Sequence, residues 1–149
     1  MSDDPVLRLE TELVLLLRRA RAASAAVARA VHPELDAPAY LLLATVARVP
    51  GARASDLAET LGVGRGTMSR PLARLEHLGL VVRTPDPHDS RNHPLSLTET
   101  GRERFARAQE GRRDYLREAL DGWDPSELDL LADLLGRLNT DLVPHPREP

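Results

Sequence analysis

Between residues 55 and 101 the chain carries two helix-length apolar patterns, each stopped by a glycine, followed by a strand, a turn-rich stretch and a second strand. Few folds accept that order in so short a span. Leu57, Ala58 and Leu61 make one turn-spaced apolar stripe that Ser55 is suited to cap, and Gly62 is a natural stop because it enters the left-handed region without steric cost. A second helical pattern opens near Gly64 or Arg65. It sets Met68, Leu72, Leu75 and Leu78 on one face and Arg65, Thr67, Ser69, Arg70 and Arg74 around the other, and Gly79 ends it. Two short helices joined by a few residues, the second bearing cations and hydroxyls outward, match a helix-turn-helix whose second helix enters the major groove of DNA. The side chains suit that groove, since Arg bonds guanine in a bidentate fork and Thr or Ser reaches bases or phosphates.

The residues after the second helix narrow the expectation further. Leu80 to Thr84 alternates like a strand, Pro85 to Asn92 is rich in turn formers, and His93 to Leu97 can return as a second strand, which together predict a hairpin wing. The chain is acidic overall, with a formal charge of -3. From Gly62 to His93, however, Arg65, Arg70, Arg74, Arg83 and Arg91 outnumber Glu76, Asp86 and Asp89. A local basic stripe on an acidic chain fits a specific binder of nucleic acid rather than a protein that coats it indiscriminately.

Here the residues resemble a known family. Asp56-Leu57-Ala58, Leu61-Gly62, Arg74-Leu75-Glu76, Leu78-Gly79-Leu80-Val81, Asp86-Pro87 with Asp89-x-Arg91, and Leu97-Thr98-Glu99-x-Gly101 occur in the order of the winged-helix core of the multiple-antibiotic-resistance regulator (MarR) family. The resemblance implies a mainly α fold with a small β-hairpin wing, a winged helix-turn-helix flanked by long N- and C-terminal dimerisation helices. It also implies a small aromatic or anionic effector bound where those helices meet the winged helix. Tyr40, on the second helix, is the candidate lining residue for that effector, set against a plain role in the core. Pro71 departs from the family pattern. It falls about one and a half turns into the recognition helix, where it removes a backbone hydrogen bond and crowds the Thr67 carbonyl, so a kink or an irregular first turn is expected.

The arms read as helices that need partners. Asp4 caps and Pro5 opens a helix expected to run to about Val31 and to end at His32-Pro33, with leucines on several sides. Asp36 and Pro38 open a second, whose run from Tyr40 to Val49 is nearly all apolar and so belongs at the centre of the core; Arg53 then starts a short extended segment. Thr98 caps a charged helix from Glu99 to about Leu120, and Asp124-Pro125-Ser126-Glu127 is a capping box that opens the last one. In that last helix Leu128, Leu131, Leu135, Leu138 and Leu142 form a seam for another helix. Trp123 and Tyr115 are expected as core or interface anchors, with lining of a ligand pocket as the alternative. The chain is thus expected to be one domain over 1–149, with dimerisation helices at about 5–35 and 99–142 around a winged core at about 36–98, and with a frayed proline-bearing tail.

Other chemistry finds little support. With no Cys and no Lys among its 149 residues, the chain has neither disulfides nor thiol sensing, and every basic side chain is Arg. No apolar run reaches the roughly 20 residues that span a bilayer, and the acidic start is unlike a signal peptide, so a cytoplasmic protein without membrane contact is expected. Gly62-x-Gly64-x-Gly66 lacks the preceding strand and the following Gly-Lys of a nucleotide loop. His88, Asp89 and His93 lack regular ligand spacing, so no metal and no cofactor is expected. No nucleophile elbow, Cys nucleophile or helical His-Glu pair suggests an enzyme.

The expected function is therefore a sequence-specific DNA-binding transcriptional regulator, a ligand-responsive repressor acting as a homodimer on a near-palindromic operator. Arg65, Thr67, Ser69, Arg70, Arg74, Arg83, Asp89 and Arg91 are its candidate DNA-binding residues. Arg91 sits near the wing tip to enter the minor groove, while Asp89 orients a cation, either Arg91 itself or Arg74. The competing reading is a winged helix used as a protein-protein or RNA scaffold, against which the Arg, Thr and Ser face argues.

Overall fold

The computed structural model describes residues 4–89, 91 and 93–142, so the proline-bearing tail expected beyond them lies outside the described residues. The elements run α1 (Pro5–Val31), α2 (Ala37–Arg48), α3 (Ala54–Leu61), α4 (Arg65–His77), β1 (Val81–Arg83), β2 (Leu95–Leu97), α5 (Glu99–Ala119) and α6 (Pro125–Asp141). The fold is mainly α with an antiparallel hairpin, in register Val81 to Leu97, Val82 to Ser96 and Arg83 to Leu95. The chain gathers into two compact units, Met1–Arg112 and Arg113–Pro149, with the boundary inside α5.

Most helix ends follow from short-range chemistry. Asp4 accepts the Val6 amide at 3.0 Å and Asp36 accepts the Ala39 amide at 2.9 Å, each just ahead of a first-turn proline. His32 leaves α1 in an extended conformation directly before Pro33. At α6, Glu127 returns a bond to the Asp124 amide at 3.0 Å. The start of α3 differs from expectation. Its N-cap is Arg53, not Ser55, because the Asp56 carboxylate accepts the Arg53 amide at 3.3 Å and so opens the helix earlier. The extended residue expected near Arg53 is Ala52, which makes a single antiparallel bridge to Leu95 on the side of β2 away from β1.

In the first unit, α2 is the central helix, packed against α1, α3, α4 and β2. Leu42, Leu43 and Val46 from it meet Leu57, Leu72, Leu75, Leu80 and Leu95 in one core with almost no solvent contact. That core is mostly aliphatic, with Tyr40 and Phe105 as its aromatic members, so shape and volume more than aromatic stacking hold it. Thr45 is buried there too, with its hydroxyl donated to the Leu41 carbonyl at 2.8 Å. The long first helix behaves differently, since only Ala28 and Val31 of its 27 residues are buried. In the second unit no residue of α6 is buried, and Tyr115 and Trp123 are 66% and 45% exposed. Neither aromatic is a core residue. Leu131 and Leu142 of the expected seam are also exposed, whereas Leu128, Leu135 and Leu138 are half-buried.

The close of α4 is a three-way junction. Gly79 has φ 67°, its amide bonds Glu76 O at 3.0 Å, and the Leu80 amide bonds Leu75 O at 3.0 Å, a Schellman closure. The Leu80 carbonyl in turn accepts the Thr98 amide at 3.1 Å. Thr98 caps α5 by accepting the Gly101 amide at 2.9 Å, and its hydroxyl donates to the Gly79 carbonyl. Gly101 lies directly against this backbone, and a Cβ there would overlap the Leu80 carbonyl oxygen. Backbone cannot retreat as a side-chain tip can, so Gly101→Ala is expected to cost about 2–3 kcal/mol. Gly111→Ala, whose Cβ meets nothing within 4 Å, is expected to be neutral or slightly stabilising. Urea titrations of the two variants beside the parent check this, and equal midpoints would refute the packing argument.

Candidate nucleic-acid interface

The face of α4 opposite its buried residues Met68, Leu72 and Leu75 carries the candidate reading side chains. Thr67, Arg70 and Arg74 are exposed and line one open groove of about 670 Å³, whose far edge is formed by Asp36 and Pro38 at the start of α2. Pro71 does not break the helix, which continues as α-helix from Arg65 to His77. The first turn is tight, with the Thr67 amide bonded to Gly64 O at 3.0 Å. Because proline has no N–H, the Thr67 carbonyl loses its donor four residues on. Gly64 caps the helix without a side-chain bond, so the amides of Arg65 and Gly66 remain available to an anion such as a DNA phosphate.

The remaining candidates are dispersed around this groove. Arg65 lies on the other flank, beside Ser55, Asp56 and Glu59 of α3. The Ser69 hydroxyl donates back to the Arg65 carbonyl at 3.4 Å, a bond it must give up to reach a base. Arg83 is already engaged, its Nε 2.7 Å from Glu76 Oε1. Arg91 is exposed near the wing tip. The Asp89 carboxylate accepts the main-chain amide of Arg91 at 3.0 Å, and Asp86 accepts the His88 amide at 2.9 Å. The wing turn is thus shaped by two successive aspartate-backbone bonds, so Asp89 positions Arg91 through its main chain rather than through the guanidinium that charge complementarity suggests. Tyr40 is not brought into this set. It is 7% exposed, its hydroxyl accepts from Gln109 Nε2 at 2.7 Å, and its ring stands 6.1 Å from that of Phe105. This ties α2 to the first half of α5.

Sequence reasoning misses Glu76, His77 and the α2 edge. His77 and Asp36 border the groove with Arg70 and Arg74, and only the tertiary packing of α2 beside α4 reveals it. At the wing end of α5, Arg102 donates to the Leu97 carbonyl at 3.2 Å, and Arg104 reaches the Val31 carbonyl at the end of α1. Among the described residues no three His, Cys, Asp or Glu side chains converge to hold a metal.

A helix-turn-helix with an Arg-bearing second helix and a two-stranded wing defines a winged-helix DNA-binding protein. Comparison with known proteins is consistent with that class. Residues 34–92 match the model of the MarR family. The chain is 30% identical over 138 residues, 93% of its length and 95% of the relative's, to an uncharacterized HTH-type transcriptional regulator, YxaD, of Bacillus subtilis. It superposes on the crystal structure of MarR with a TM-score of 0.71 at 26% identity, covering 91% of this chain and 97% of that one. Streptococcus pneumoniae FabT in complex with DNA gives a TM-score of 0.80 at 20% identity, covering 92% and 96%. The chain belongs to the MarR family of DNA-binding transcriptional regulators, proteins that are not enzymes.

Two substitutions test the interface. If Arg70 forks onto a guanine, Arg70→Ala is expected to lose about 1–3 kcal/mol of discrimination at one base pair; a phosphate contact instead weakens all sequences alike and lowers the salt slope by about 0.9. Unchanged discrimination and slope, read by fluorescence anisotropy across salt, would remove Arg70 from the site. In the wing, Asp89→Ala is expected to weaken binding although it removes a negative charge, while Asp89→Asn, which keeps an acceptor, binds nearly as the parent does. Tighter binding by Asp89→Ala would show that the turn bond is irrelevant to the interface.

Proposed function

We propose that the chain is a ligand-responsive repressor acting in the cytoplasm, which binds a near-palindromic operator as a homodimer. The observation that carries the dimer is unpartnered apolar surface. Val6, Leu7, Leu9, Val14, Leu16 and Leu17 of α1 are 46–68% exposed, and Leu130, Leu131 and Leu134 of α6 are 39–60% exposed. A chain this size does not leave so much aliphatic surface in water without a partner, and burying it returns roughly 25 cal/mol for each Å². Two-fold symmetry also repeats the reading helix. Two copies of α4 about 34 Å apart meet successive turns of one duplex face, and a symmetric protein then favours a symmetric site.

FabT, whose fold this chain shares, is a protein solved with DNA, which supports placing duplex DNA against α4 and the wing here. No helix among the described residues is long and apolar enough to cross a membrane, which accords with action on the chromosome. The effector we assign to the class of small aromatic or anionic molecules. Tyr40 remains a candidate for its contact, since its hydroxyl accepts the Gln109 bond and keeps its own hydrogen to donate.

Sedimentation and a shift assay with the DNA flanking the protein's own gene test the proposal together. The parent is expected to sediment as a dimer and to shift that DNA. Leu131→Glu with Leu135→Glu is expected to yield monomers or unfolded chains, because an unpaired buried charge costs several kcal/mol. A double variant that stays a folded dimer with unchanged operator affinity would overturn the interface.

A further inference from the structure

We infer that Arg83 is a positioning residue rather than a DNA contact: with Glu76 it forms an ionic brace that fixes the wing at a set angle to the recognition helix. This rests on the DNA-binding function proposed for the chain and assigns one charged pair within it. Arg83 Nε lies 2.7 Å from Glu76 Oε1, in the short range of charge-assisted bonds, and the two side chains are only 43% and 32% exposed. The pair joins the last full turn of α4 to the outer end of β1, seven residues on.

Strand geometry explains why the two meet. Side chains alternate along a strand, so Arg83 shares a face with Val81, which is buried against the core, while Val82 projects to the opposite side and is exposed. Arg83 therefore points back toward α4. Arg91 instead sits near the tip of the hairpin, where a long cation meets the groove.

The brace also supplies what the junction lacks. The Schellman closure and Thr98 hold the wing's base at Gly79 and Leu80. Beyond that point β1 and β2 are only three residues each; the Ala52 bridge to Leu95 ties the start of β2 from one side, while β1 is tied at its outer end by the Glu76–Arg83 pair. Glu76 and Arg83 act there, at the last rung before the turn, where the Thr84 amide bonds Pro94 O at 3.0 Å. A fixed wing orientation sets where Arg91 falls relative to Arg70 and Arg74, and so links the two groove contacts.

The test is a cycle of Glu76→Gln, Arg83→Gln, their double variant, and the exchange of Glu76→Arg with Arg83→Glu. Two quantities are read: affinity against salt for the tightest duplex selected from a random pool, and amide exchange at Thr84 in the free protein. Each single variant is expected to weaken binding by about fivefold, the scale of one exposed pair, with the double no worse than either. The exchanged pair recovers most of the loss. The salt slope of Arg83→Gln stays at the parent value, since no phosphate contact is removed. Thr84 exchange accelerates in both single variants and returns in the exchanged pair. The inference is overturned if Glu76→Gln binds more tightly while Arg83→Gln lowers the slope by about 0.9, the pattern of a phosphate contact that Glu76 merely restrains. If the parent binds no duplex at all, the DNA-binding reading fails separately and Thr84 exchange alone decides. Unchanged exchange in both single variants then refutes the brace.

Discussion

The close of α4, the base of the wing and the start of α5 are aimed by the main chain around Leu80. The amide of that residue closes α4 and its carbonyl receives the amide of Thr98, the α5 cap, so the reading helix, the wing and the start of α5 meet at one residue. Gly79 supplies the left-handed turn and Gly101 the absence of a side chain, without which the Thr98 cap cannot approach. The angle between reading helix and wing is therefore fixed at its root by hydrogen-bond geometry, which is directional, and not only by the aliphatic core, which is not.

The core sets position while the junction sets direction. Leu72 and Leu75 seat α4 against α2, and Leu95 and Leu97 seat the hairpin beneath it. Aliphatic contacts of this kind tolerate rotation of a few degrees, which at the wing tip becomes a displacement of ångströms. Polar ties placed where the elements cross remove that freedom. Arg104 on the end of α1, the Tyr40–Gln109 bond between α2 and α5, and Ala52 on Leu95 are further ties of the same type. The first two join α1, α2 and α5, and the third joins the segment ahead of α3 to the hairpin.

Much of this architecture is legible in the sequence, and the rest is hidden for specific reasons. Asp4, Asp36 and Asp124 each precede a proline, a local signal that needs no tertiary knowledge, and the helices begin where that signal says. Ser55 misleads because the usual capping rule weighs the cap residue itself, whereas Asp56, two residues inside the helix, makes the deciding bond. Tyr115 and Trp123 read as anchors from their hydrophobicity, yet within a single chain they find no core to join. The site is readable as a set of residue types but not as a set of bonds. Asp89 beside Arg91 suggests an ion pair, while the local aspartate turn satisfies the carboxylate with an amide instead. Glu76 and Arg83 are joined only through the hairpin's return, which no periodicity within α4 announces.

One consequence concerns how such a regulator changes over generations. The junction at Leu80 is built from main-chain atoms, two glycines and one threonine hydroxyl, whereas Thr67, Arg70 and Arg74 stand on the exposed side of α4, away from the core. Duties are thereby separated along the chain. Changes at those outward residues over generations leave in place the bonds that Gly79, Leu80, Thr98 and Gly101 make with one another.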